Sequence, residues 1–468
     1  MKNKQTKYIL LSCGVILVVA CLCLGVILLS GLGVSLLWPF EFKEDAEASI
    51  PTTETTLPVT PEVSELQEEQ NELPDELFEI LLQIESEVIQ IRGLDQTKPV
   101  EKTLISMSEL EEIVTNDFFL EYSDQEAEQD VLILAALGLL PEGFNLRDFY
   151  LDLYSEQIAG FYDDETEEIY VVQGAEFGGS EKLTYSHEFT HVLQDQVYDL
   201  EEGLGLNEEA CELDSERCAA VQALIEGDAT YTEILWFQTY ASREDYFDVM
   251  QTFDELESPI LDTAPPFMAS DLYFPYEKGY VFIEYLYDQD GYDAVDLAYQ
   301  NPPVSTEQIL HPEKYPNDVP QDVALPDLID VLGNEWQLFD QNVMGEWYTY
   351  LILNQAYEED YWLSEQTASK AAAGWGGDSY AVYLNGNTDE IVFINEVAWD
   401  TLADAEEFAE AFEDYADLRW GDSKDEIEGN PTWYGDNSVI IFTRDGDHTL
   451  WLLSPNDTIL KTILSEFK

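Results

Sequence analysis

Residues 183–197 read LTYSHEFTHVLQDQV, and the interpretation of the whole chain turns on them. His187-Glu188-Phe189-Thr190-His191 is an H-E-x-x-H pattern inside a segment with helical features. On a helix, residues four apart lie about 40° apart on one face, so both imidazoles can reach one ion. Glu188 follows about 100° further round, which sets its carboxylate beside the ion, where it can accept a proton from an activated water. Imidazole nitrogens and a carboxylate oxygen suit zinc, and a catalytic site keeps a fourth position for water. The chain holds four histidines, His187, His191, His311 and His448, so half of them fall in this pattern.

A third ligand is expected downstream. Glu226, in Ala223-Leu224-Ile225-Glu226-Gly227-Asp228-Ala229, lies in an apolar helical stretch where a bare carboxylate would be costly to bury. Coordination would remove that cost. Asp228 sits two residues on and points to the far side of the same helix. Asp195, four beyond His191, is a second alternative, or an outer acceptor for a ligand imidazole.

Upstream, Ile158–Tyr162 and Glu168–Val172 read as two strands joined by a turn at 163–166. The second strand is expected to line the cleft, with a peptide substrate added alongside Tyr170–Val172. Helices are expected over Asp75–Ile91, 108–116, 123–139, Leu183–Val197, Ala219–Thr239 and Lys278–Tyr287. From about Ala368 the pattern becomes two strands, a helix (Ala403–Tyr415), two strands (Ser438–Thr443, Thr449–Leu453) and a closing helix. The fold class is therefore α+β: a mainly helical metallopeptidase-like domain with a small sheet over 74–365, and a smaller α+β domain over 366–468.

The first seventy residues have a different character. Tyr8–Phe40 carries no charged residue and is long enough to cross ~30 Å of hydrocarbon as a helix. Lys2, Lys4 and Lys7 precede it and acids follow, which puts residues 1–7 in the cytoplasm and the body outside. Val18-Val19-Ala20-Cys21 resembles a lipobox, but apolar residues continue well past Cys21, so a single-pass anchor is preferred. Residues 41–73, rich in Glu, Thr, Pro and Ser, read as a disordered acidic stalk. An extracytoplasmic body would allow a Cys211–Cys218 disulfide, with two free thiols as the alternative.

The chain carries 98 Asp+Glu and 19 Lys+Arg over 468 residues, a formal charge of -79. No basic stripe is available to release counterions from nucleic acid, so a nucleic-acid partner is excluded. With 45% hydrophobic and 13% aromatic residues, the body has material for a large core. A salty setting would suit the acidic surface, because salt screens its self-repulsion. The Asp-rich turns lack a full calcium loop. His311, in Gln308-Ile309-Leu310-His311-Pro312, is expected to tie down a loop, and His448 to sit exposed at a hairpin turn.

Taken with Glu226 and Pro275-Tyr276-Glu277-Lys278-Gly279, the H-E-x-x-H segment resembles the gluzincin metallopeptidases of the peptidase MA type, nearest the aminopeptidase N branch. The resemblance spans roughly Ile169–Tyr292. It implies zinc held by His187, His191 and Glu226, Glu188 as general base, and Tyr276 as the phenol that stabilises the tetrahedral intermediate. Two departures stand out: a longer, acidic gap between His191 and Glu226, and no Gly-x-Met-x-Asn motif. Phrases such as HEFTHVLQDQVYDL (187–200), PPVSTEQILHPEKY (302–315) and GWGGDSY (374–380) also resemble a group of prokaryotic secreted zincin-like proteins of no established substrate. These features lead to the expectation of a membrane-anchored, outward-facing zinc peptidase acting on peptides. A catalytically silent zincin fold, acting as an extracellular binding or envelope-maintenance protein, is the alternative.

Overall fold

A computed structural model describes residues 73–113, 122–157, 160–163, 166–172, 177–255, 258–423 and 425–467. The apolar span Tyr8–Phe40 and nearly all of the expected stalk lie outside the described residues. Among those described, no helix is long and apolar enough to cross a membrane.

The first half runs α1 (Asp75–Arg92), β1 (Glu101–Ile105), α2 (Met107–Ile113), α3 (Asp124–Leu137), α4 (Leu146–Gln157), β2 (Gly160–Asp163), β3 (Glu168–Val172), α5 (Gly179–Tyr198), α6 (Glu208–Leu213), α7 (Ser215–Tyr240), α8 (Arg243–Glu255), α9 (Pro266–Asp290), α10 (Tyr292–Gln300) and α11 (Thr306–Leu310). Local chemistry explains several boundaries. Ser123 and Glu126 form a reciprocal capping box at the start of α3, and Gly138 closes that helix in the left-handed conformation. Arg419, from far along the chain, donates to Ala135 O and Ala136 O, satisfying carbonyls that the end of α3 leaves open.

β1, β3 and β2 form a sheet in the order β1-β3-β2, with β1 parallel and β2 antiparallel to β3. The central strand β3 therefore has both edges occupied. This corrects the expectation that a substrate strand adds alongside Tyr170–Val172: the edge strands of the sheet are β1 and β2.

α5 is buried without interruption from Leu183 to Gln194. Tyr185, Phe189 and Val192 pack with Leu81, Ile84 and Val88 of α1 and Ile169 of β3. His187, His191 and Gln194 point away from that side, because two residues advance a helix by about 200°. One face thus anchors the helix and the other is left for polar work against α7. Burying a side chain such as Phe189 contributes about 1.5–3 kcal/mol, enough for this face alone to hold the helix in place.

α9 differs from expectation. It begins at Pro266 rather than near Lys278 and carries Pro275 inside it. Pro266 at the first turn costs nothing, since that N–H has no partner there anyway. The interior Pro275 costs about 3 kcal/mol. Burial of Phe267, Met268, Leu272 and Phe274 offsets it.

The second half runs α12 (Ile329–Leu332), β4 (Trp336–Asn342), α13 (Gly345–Asn354), α14 (Glu365–Ala372), β5 (Trp375–Asn385), β6 (Ile391–Trp399), α15 (Leu402–Trp420), β7 (Asp425–Ile427), β8 (Asn430–Tyr434), β9 (Val439–Asp445), β10 (His448–Ser454) and α16 (Asp457–Leu464). The strands form one antiparallel sheet in the order β4-β5-β6-β10-β9-β8-β7. Alternation along β5 serves both faces. Tyr380 and Val382 join α15 residues Phe408 and Phe412, while Ala381 and Tyr383 join α16 residues Leu460 and Ile463.

β4 places this sheet's first strand upstream of position 366. The two halves also share a core, since one apolar cluster runs from Leu134 and Leu224 through Trp347 to Phe393 and Trp451. Asp378 of β5 reinforces the junction by accepting from the backbone N–H groups of Met344 and Gly345 at 3.0 and 2.9 Å.

Candidate metal centre

The two histidines of α5 stand edge to face, with ring centroids 4.7 Å apart. α7 crosses their polar side and brings Glu226 to them. Glu226 Oε2 lies 3.2 Å from His187 Nε2 and 3.4 Å from His191 Nε2. The three potential donor atoms all fall within 4.8 Å of one another. His187, His191 and Glu226 are each at most 1% exposed.

A close crossing of α7 and α9 completes the arrangement. A Cβ on Gly227 would stand 2.2 Å from the backbone of Gly279, and one on Gly279 would stand 2.1 Å from Ala223 O. Only glycine at both positions allows this approach. Each glycine lies beside a site residue: Glu226 precedes Gly227, and Tyr276 lies three before Gly279. The Tyr276 ring is buried, with its centroid 6.2 Å from that of His187.

Outer partners orient both imidazoles. His187 Nδ1 lies 3.0 Å from Glu233 Oε2, and His191 Nδ1 lies 2.8 Å from Gln194 Oε1. In each ring the second nitrogen is thereby left to face Glu226. Glu188 is held by the backbone N–H of Tyr162, which donates to its Oε2 at 2.9 Å. The H-E-x-x-H glutamate is thus tied to the edge strand β2.

The electrostatics are those of a buried site lined by acids. Burial works to lower the His191 imidazole, but the facing Glu226 carboxylate outweighs it and holds its pKa above the ordinary value. Burial works to raise the Glu226 carboxyl, and the imidazoles of His191 and His187 overcome it and hold that group low. For Glu233 burial wins, and its carboxyl lies above the usual range despite the hydrogen bond with His187.

Two atoms show what the cluster lacks. His191 Nε2 and Glu226 Oε1 are buried and have no hydrogen-bond partner. Buried polar atoms are normally satisfied, so two orphans in one three-residue cluster are consistent with a further group bound there. Two imidazole nitrogens and a carboxylate oxygen fit a divalent transition metal.

The two alternative third ligands are engaged elsewhere. Asp228 accepts from Arg92, Gln194 and Tyr299 at 2.9, 3.0 and 2.8 Å. Asp195 accepts from the Tyr162 hydroxyl at 2.8 Å. Glu233, Gln194 and Tyr162 were not singled out from the sequence. Helical spacing offered the only available signal: Glu233 lies two turns beyond Glu226, and Gln194 one turn beyond His191.

Other chemistry-bearing residues lie apart from this cluster. His311 Nε2 is 2.9 Å from Glu346 Oε1, and half-exposed His448 Nδ1 is 3.2 Å from Glu396 Oε1. Cys211 and Cys218 form a disulfide at the junction of α6 and α7. Glu307, Asp318 and Asp400 also converge, but on Lys314, which supplies their counter-charge. A cavity of about 530 Å³ lies at the start of α7, lined by residues including Glu216, Gln321, Trp375 and Asp378, and none of the three clustered residues borders it.

Comparison with known proteins gives one match. The model of a family described as a domain of unknown function (DUF8575) matches residues 336–464. Those residues run from β4 to the end of α16, which is the seven-stranded sheet with its helices. No curated protein and no solved structure matches the chain.

Proposed function

We propose that the chain is a zinc-dependent peptidase of the gluzincin kind, with His187, His191 and Glu226 holding the ion. The convergence of His187, His191 and Glu226 in a buried cluster, with polar atoms of His191 and Glu226 left unpartnered, carries this reading. When bound, zinc supplies Lewis-acid polarisation of a peptide carbonyl and acidifies water toward a pKa of ~7.

The chain's own residues account for the remaining steps. Glu188, fixed by Tyr162 N–H, accepts a proton from the attacking water and delivers it to the leaving nitrogen as the C–N bond breaks. The water's oxygen remains on the carbonyl carbon, giving a carboxylic acid and an amine. The buried Tyr276 phenol donates a hydrogen bond to the oxyanion that develops in between. A peptide docks as an added strand on β2, the edge strand that carries the Glu188 contact.

The apolar span Tyr8–Phe40 supports attachment to a membrane with the body outside, and this topology belongs to the same proposal.

One observation favours a second reading, a catalytically silent zincin fold that binds rather than cleaves. His187, Glu188, His191 and Glu226 are all at most 1% exposed, so a peptide reaches them only if the surrounding elements open. Metal analysis of the full-length chain, with peptide-library cleavage before and after chelation, separates the two. Stoichiometric zinc with chelator-sensitive cleavage supports the peptidase. Zinc without cleavage, or no stoichiometric zinc, supports the silent fold.

A further inference from the structure

Gln194 is held at both ends, and its orientation follows without ambiguity. Its Nε2 donates to Ile225 O and to Asp228 Oδ2, each at 3.0 Å. A carbonyl and a carboxylate can only accept, so the amide nitrogen must face them and Oε1 must face His191. That oxygen, 2.8 Å from His191 Nδ1, can only accept in turn. His191 therefore carries a hydrogen on Nδ1, and Nε2 is the ring nitrogen left to face Glu226.

Asp228 is itself held in place. The buried guanidinium of Arg92, the last residue of α1, lies 2.9 Å from both carboxylate oxygens, and the Tyr299 hydroxyl donates to Oδ2 at 2.8 Å. Arg92 also reaches Asp296 at 2.7 Å. A hydrogen-bonded relay thus runs from α1 through α7 to one imidazole of α5.

The two histidines are supported differently. His187 meets the Glu233 carboxylate directly, whereas His191 meets a neutral carboxamide with the Asp228 carboxylate one step behind it. Glu188, Glu226 and Glu233 already bring three carboxylates to this buried site. A carboxamide orients His191 without adding a fourth.

We propose that Gln194 is a positioning residue for metal binding: clamped by Asp228 and Ile225 O, it fixes His191 in the Nδ1–H tautomer that offers Nε2 to the ion. The proposal rests on the reading of His187, His191 and Glu226 as a metal centre.

The test uses the full-length chain and zinc itself. Zinc affinity is measured by competition with a chromophoric chelator, cobalt(II) substitution reports ligand geometry by its visible absorption, and the urea midpoint of the metal-free protein reports folding. Gln194→Met should weaken zinc binding about 10–100-fold and shift the cobalt band. The cobalt band separates a lost orientation from a lost fold: where Gln194→Met lowers the urea midpoint, its folded fraction should still show the shifted band. Equal zinc affinity in wild type and Gln194→Met, or an unshifted cobalt band in Gln194→Met, overturns the positioning role alone. A wild-type chain that binds no zinc overturns the metal centre and this proposal together.

Discussion

Gly227 and Gly279 bring the backbones of α7 and α9 into direct contact, and the contact sets both Glu226 and Tyr276 beside His187. A methyl group at either position would meet backbone at about 2.2 Å, which no rotamer change can relieve. Gly279→Ala should therefore destabilise the fold by about 1–3 kcal/mol, read as a lower urea midpoint. It should also weaken metal binding, because the helices part at the level of Glu226. An unchanged midpoint would show that the crossing is looser than described.

Tyr276 should matter to turnover and not to metal content. Tyr276→Phe removes one hydroxyl and keeps the buried ring, so zinc stoichiometry should hold. The loss of an oxyanion donor should lower kcat about 100-fold with little change in KM. A rise in KM at constant kcat would point to substrate binding instead.

Arg92 pairs with Asp228 and Asp296 and is completely buried. Arg92→Met fills similar volume but leaves the buried Asp228 carboxylate without its counter-charge. Breaking a buried pair in this way costs about 3–5 kcal/mol. Chemical denaturation of the variant measures it, and a loss below 1 kcal/mol would show that Asp228 is compensated by its other donors.

The His311–Glu346 pair gives a pH signature. The hydrogen bond to Glu346 raises the His311 pKa above its ordinary 6.5, more than burial lowers it. A histidine raised on folding binds its proton more tightly in the folded state. Its stabilisation is therefore complete below pH ~6.5 and is lost as pH rises through the folded-state value. The stability difference between wild type and His311→Ala should be largest near pH ~5.5 and shrink steadily toward pH ~8.5. A difference that grows with pH would reverse the sign of the argument.

Much of this architecture was legible in the sequence because local signals were strong. The apolar spacing of Leu77, Ile80, Leu81, Ile84, Val88 and Ile91 located α1, and the Tyr170–Val172 run located β3. The spacing of His187 and His191 marked the pair that the fold groups with Glu226. Glu226 was reachable because a carboxylate in an apolar helix requires a reason.

The remainder depended on contacts that local pattern does not encode. Pro275 signals a break, yet tertiary burial of Phe267, Leu272 and Phe274 carries α9 through it. The alternating β3 pattern does not show that both its edges are taken. The partners Gln194, Glu233 and Arg92 are ordinary polar residues until α1, α5 and α7 pack together. The short strands β7 and β8, and β4 with its register shift between Leu338 and Asp340, carry too little periodicity to read alone.

The central claim is that Glu188 moves the proton at a zinc centre built from His187, His191 and Glu226. The most direct measurement is peptide cleavage by the zinc-loaded full-length chain beside Glu188→Gln at matched metal content. The variant should retain its zinc and lose at least about 100-fold in kcat/KM, the contribution of a positioned general base. Equal turnover at equal zinc content would contradict it.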